Sequence, residues 1–222
     1  MKTRIYKFGK LIKLLVFFVL MSFAACTVVT FDEPQPVGID NLAKLPKRIQ
    51  GQYISLADSS TLCVSDKMIR RIYDFEYRIL AGELDSNYKF AGDTIININT
   101  DEKEMAKKVG DTLFIHIHSV DTLFELNYDN VARKYKGYYF INTRLGKESW
   151  EVKKIELLKG RLQISSISTK QDVENLKAIT ESTQDTVAPY QFSVTKRQFK
   201  EFIRNGGFSD NEIFIKQKKN SL

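Results

Sequence analysis

Tyr73-Asp74-Phe75-Glu76-Tyr77-Arg78-Ile79 alternates aromatic or aliphatic with charged residues at every step. Successive side chains on a strand point to opposite faces, so this period of two reads as a half-buried β-strand with an aromatic inner face. The same period runs outward in both directions. Ile49 to Leu56 and Thr61 to Val64 read as short strands split by the Asp58-Ser59-Ser60 turn. Thr94 to Asn99, Tyr135 to Thr143, Ser149 to Leu158, Leu162 to Ile167 and Glu212 to Gln217 extend the pattern.

Three local echoes, Gly92-Asp93-Thr94, Gly110-Asp111-Thr112 and Val120-Asp121-Thr122, suggest a repeated turn-to-strand entry in a meander. Asp101 to Lys108 reads as one or two helical turns closed by Gly110. In 149–158, Trp150 and Val152 share one parity while Ile155 and Leu157 share the other, which predicts a bulge or bend near Lys153-Lys154.

Two short helices are expected near the C-terminus. Thr169 with Asp172 resembles a capping box, followed by the stripe Val173, Leu176 and Ile179. Thr195 with Gln198 is a stronger box, Val194 can staple to Phe199, and Gly206-Gly207 ends the helix. The fold expectation is mainly β: a single antiparallel, barrel-like, lipocalin-like domain with two short C-terminal helices, or alternatively a β-sandwich.

The first thirty residues have a separate logic. Lys2, Arg4, Lys7, Lys10 and Lys13 precede the apolar run Leu14 to Met21, which is followed by Ser22, Phe23, Ala24, Ala25 and Cys26. This is the pattern of a signal peptide. Phe23-Ala24-Ala25-Cys26 resembles a bacterial lipobox. The resemblance implies cleavage after Ala25, a diacylglyceryl thioether on Cys26 and acylation of the new N-terminus. Several acyl chains hold a protein on a bilayer firmly, whereas one holds it weakly. An uncleaved anchor helix over Leu14 to Phe31 and plain secretion are the competing readings.

The resulting division is a signal peptide over 1–25, a lipidated Cys26 with an extended tether over 26–47, a β domain over 48–217 and a basic tail over 218–222. Pro34 and Pro36 exclude a helix in the tether; an arm packed on the domain edge is its alternative. The formal charge of +7 first suggests a nucleic-acid partner. Loss of the leader removes five basic and no acidic residues, which lowers it to +2. Nucleic acid is therefore not expected, and the membrane, through the lipid on Cys26, is the expected contact.

Phe31-Asp32-Glu33-Pro34-Gln35-Pro36, Leu45-Pro46 and Gly51-Gln52-Tyr53 occur in an order that resembles uncharacterised envelope lipoproteins of Bacteroidota. So do Gly137-Tyr138-Tyr139-Phe140-Ile141-Asn142, Trp150-Glu151-Val152 and Thr195 to Phe199 with Gly207-Phe208. The resemblance implies the cell envelope, at the outer membrane, and assigns no catalytic or binding residues.

Chemistry is sparse. His116 and His118, the only histidines, share a strand face, but a metal site needs a third ligand that spacing does not supply, so no metal is assigned. Cys63 reads as a buried strand thiol. Tyr73, Phe75 and Tyr77 are candidates to line an apolar ligand cavity, or else part of a solid core. Arg70-Arg71 and Lys216, Lys218 and Lys219 read as solvated charges. Standard hydrolase, kinase, nucleotide-binding and zinc-protease signatures are absent, so no enzyme activity and no cofactor is expected. The expected function is a lipid-anchored, non-catalytic envelope module that binds an apolar ligand, a glycan or a partner protein. A structural or assembly subunit of an envelope complex with a solid core is one alternative, and an enzyme of unknown class is the other.

Overall fold

The computed structural model describes residues 29–180 and 189–217. The expected leader, Cys26 and the basic tail lie outside the described residues. Fourteen strands and two α-helices make up the described chain. The strands are β1 (Val29–Phe31), β2 (Gly51–Ser55), β3 (Thr61–Val64), β4 (Met68–Leu80), β5 (Tyr88–Ala91), β6 (Thr94–Asn97) and β7 (Lys103–Val109). They continue as β8 (Thr112–Glu125), β9 (Asn130–Tyr135), β10 (Tyr138–Gly146), β11 (Ser149–Leu158), β12 (Arg161–Ser166), β13 (Tyr190–Phe192) and β14 (Asp210–Lys216). The helices are α1 (Lys170–Thr180) and α2 (Lys196–Arg204).

All strands belong to one sheet, ordered β13-β1-β11-β12-β14-β2-β3-β4-β8-β7-β6-β5, with β10 and then β9 on the other side of β11. Every pairing is antiparallel except that of β1 with β13. The mainly β, barrel-like class matches the expectation. The sheet curls around a core containing Tyr53, Leu62, Ile69, Phe124, Tyr139 and Phe214. It stays open, because β8 and β9 follow each other in the chain but share no ladder.

Two further cores flank this one. On the outer face of β10 and β11, α1 and α2 bury Phe31, Phe140, Val152, Phe199, Phe202 and Phe208. On the distal halves of β4 and β8, which form an extension with β5, β6 and β7, a smaller cluster gathers Ile95, Ala106, Leu113 and Ile115.

The second core explains β11. Both parities are buried, but the register with β10 runs without a break through Lys153 and Lys154. No bulge is needed there, because Val152 faces the helices while Ile155 faces the barrel-like core. The helix expected over 101–108 is instead strand β7. Its Lys-, Glu- and Met-rich composition favours a helix, but ladders to β6 and β8 override that preference.

The strand expected over 135–143 is broken by a two-residue turn at Lys136-Gly137. Both residues have positive φ, 52° and 90°, as a tight twisted hairpin turn requires. Of the three Asp-Thr echoes, the first two are two-residue turns, between β5 and β6 and between β7 and β8. The third is no turn: Asp121 and Thr122 lie inside β8, paired with Arg71 and Arg70.

From residue 29 onward the expected tether is a packed arm, the other reading of that segment, and the β domain begins before residue 48. Val29, Phe31, Leu45 and Ile49 are buried. Arg133 on β9 clamps the arm: its Nε donates to Asn41 Oδ1 at 2.8 Å, and its Nη1 donates to the carbonyls of Pro34 and Pro36. Burial lowers the pKa of Arg133, and nearby Glu33 and Asp40 oppose that shift.

Both helix starts carry their caps. Thr195 Oγ1 accepts from the backbone of Gln198, and the Gln198 side chain accepts from the Thr195 N–H. At α1, Asp172 N donates to Thr169 Oγ1 at 3.1 Å.

Candidate functional site

The row Tyr73, Phe75 and Tyr77 shares its parity with Ile69 and Arg71, so one face of β4 runs from the barrel-like core into the extension. Ile69 sits in the core floor. Arg71 forms part of the wall of a cup of about 200 Å³. The floor of this cup is Ile69, Ile141 and Ile164, and its polar wall is Arg71, Lys153, Ser166, Asp210 and Glu212. These residues come from β4, β10, β11, β12 and β14, which only the curling of the sheet brings together.

Arg71 was expected to be a solvated charge. Its side chain is only 13% exposed and ion-paired with Glu212. Its Nη1 donates to Tyr73 Oη at 3.3 Å, and its guanidinium lies over the Phe214 ring, 5.3 Å from the centroid. Burial pulls its pKa down, but the contacts with Glu212 and Tyr73 outweigh this and hold it above the ordinary value. Arg71 Nε has no hydrogen-bond partner among the described residues. Lys153 pairs with Glu151 at 3.5 Å, and Asp210 accepts from Ser168 Oγ at 2.7 Å. The sequence signal for Arg71 was its parity with the aromatic row, which outranks its position beside Arg70.

Beyond the cup, Phe75 and Tyr77 form an aromatic ledge. They are 49% and 42% exposed, and their ring centroids lie 6.4 Å apart. Tyr73 is half-buried between cup and ledge. Thus neither a solid core nor an enclosed cavity describes the row: it is an open platform. The pKa of Tyr77 is raised, first by burial and then by neighbouring Tyr88 and Glu104. Tyr88 belongs to β5, the outermost strand of the extension.

The opposite face of the extension carries the histidines. Asp74 lies 3.3 Å from His116 Nε2 and 3.5 Å from His118 Nδ1, joining the pair that sequence spacing left without a partner. Among the described residues, no group of three or more His, Cys, Asp or Glu is placed to hold a metal ion. Among the described residues Cys63 has no disulfide partner, and it is half-buried on the outer face of β3 rather than in the core.

Among the described residues, no helix is long and apolar enough to cross a membrane. No family model, no curated protein and no solved structure matches the chain.

Proposed function

We propose that this protein is a lipid-anchored cell-envelope lipoprotein, non-catalytic, whose cup and aromatic ledge form a ligand-binding site. The leader, the lipobox-like Phe23 to Cys26 and the resemblance to Bacteroidota lipoproteins support the anchoring and an outer-membrane address. The observation that carries the binding reading is the single face of β4, which presents Arg71 to a cavity and leaves Phe75 and Tyr77 open to solvent. Large aromatic rings left exposed beside a polar cavity are costly to solubility, and an occupant that covers them explains their placement.

Lipidation on Cys26 would leave only three residues before the packed strand β1, a reach of about 10 Å. The domain would then sit against the bilayer instead of on a long tether. Intact-mass analysis of membrane-extracted protein tests the anchor: a mature chain starting at Cys26 with acyl mass is expected, and an unmodified Cys26 overturns it. Native mass spectrometry of the same material tests the site. A co-purifying small molecule supports binding, while a stable protein complex with an empty cup favours the structural-subunit reading.

A further inference from the structure

We infer that the ligand of this site is a neutral saccharide chain, with a terminal ring in the cup and further rings on the ledge. The inference rests on the reading of cup and ledge as a binding site, and names its ligand class.

Size excludes the bulkier choices. A cup of about 200 Å³ is smaller than the roughly 300 Å³ at which pockets for drug-sized ligands begin. It has room for one small ring and is too short for a long acyl chain.

Charge points the same way. The cup presents two cations, Arg71 and Lys153, and two anions, Asp210 and Glu212. Such a balanced wall selects no net charge. A carboxylate or phosphate head would meet Arg71 but also face Glu212, which is already ion-paired with it. An apolar ligand would match Ile69, Leu123, Ile141 and Ile164 but would use neither the Ser166 hydroxyl nor the lone pairs that Asp210 and Glu212 keep beyond their internal partners. A hydroxyl both donates and accepts. A polyol therefore gives donors to the Asp210 and Glu212 carboxylates and both donates to and accepts from the Ser166 hydroxyl.

The ledge supplies the complementary apolar contact. Sugar rings carry C–H faces that lie flat on aromatic rings, and Phe75 and Tyr77 offer adjacent exposed rings. At about 3.3 Å per residue, Phe75 stands about 13 Å and Tyr77 about 20 Å along β4 from Arg71. That spacing exceeds one ring and suits a short oligomer spanning both parts.

The test is isothermal titration calorimetry on the purified full-length protein. The probes are neutral glucose, mannose and N-acetylglucosamine oligomers from dimer to hexamer, a polyuronate hexamer and palmitate. At least one neutral series is expected to bind, with the hexamer tighter than the dimer. Tyr77→Ala is expected to weaken the hexamer about tenfold while leaving the unfolding midpoint in place. Arg71→Lys is expected to weaken dimer and hexamer alike. Binding of polyuronate or palmitate without any neutral oligomer overturns the saccharide inference and leaves a binding site standing. Hexamer binding indifferent to both substitutions overturns the placement of the ligand. If no probe binds and the native mass spectrum shows no small molecule, the inference and the binding reading both fall.

Discussion

Asn142 on β10 takes up both backbone groups of Gln35, across 107 residues of chain. Its Oδ1 accepts from the Gln35 N–H at 2.5 Å, and its Nδ2 donates to the Gln35 carbonyl at 3.0 Å. Both residues are buried. One side chain thus does for the arm what a neighbouring strand would do, satisfying a donor and an acceptor that water does not reach.

Asn142→Ala is accordingly expected to orphan both groups and destabilise the protein by on the order of 3 kcal/mol. Asn142→Asp keeps the acceptor but cannot donate when ionised, and it buries a charge. It too should unfold at lower denaturant. Urea titration of both variants checks this, and a midpoint within error of the parent would show that the arm is held elsewhere.

Gly207 lies under the ring of Phe202. A Cβ there would stand 2.4–2.6 Å from three atoms of that ring. The ring cannot swing away freely, because Phe202 is fully buried and packs against Phe208 at 5.4 Å. Gly207→Ala should cost about 1–3 kcal/mol through overpacking. Adding Phe202→Leu should recover part of the loss, and thermal unfolding of the single and double variants reads that recovery. A double variant weaker by the full sum of both changes would rule out the steric cause.

The Arg71–Glu212 pair invites a double-mutant cycle. Glu212 is 34% exposed, so solvent screens the pair and a modest energy is appropriate. Arg71→Met and Glu212→Gln should each destabilise by about 1–2 kcal/mol, with the double variant less affected than the sum. Strict additivity would mean the two side chains act independently.

Asp58 ties off the turn between β2 and β3. Its Oδ1 accepts from Ser60 Oγ at 2.6 Å and Ser60 N at 3.0 Å. The side-chain hydrogen bond from Ser60 is the main cause that lowers its pKa, against a smaller opposing effect of burial. A depressed carboxylate stabilises the fold above its unfolded value of about 3.9, and that contribution is lost as pH falls through the folded value. The stability difference between the parent and Asp58→Asn should therefore shrink as pH drops from 5 toward 2. A difference that stays constant across that window would exclude the linkage.

Elements whose signal is local were legible in the sequence. The alternation around Tyr73 to Ile79 announced β4, and the Thr195–Gln198 box announced α2. Asp58-Ser59-Ser60 announced the turn between β2 and β3, where Ser59 has a positive φ of 61°. The failures share one cause. For β7, for β11 and for the third Asp-Thr echo, the deciding fact was the neighbouring strand or layer, which no window of sequence contains. The platform residues Phe75 and Tyr77 were found, whereas the Arg71, Lys153, Asp210 and Glu212 wall was not. Its members lie on β4, β11 and β14, far apart in the chain, and look individually like surface charges.

By itself, then, the sequence determined that this chain is mainly β with two capped helices, because period, turn residues and caps act over a few residues. Tertiary structure alone decided which faces are covered and which charges meet. It made the segment from Val29 a packed arm, gave β11 a core on each side and set Arg71 against Glu212 in a cup. Strand pairing and burial are properties of partners, and the partners here come from opposite ends of the chain.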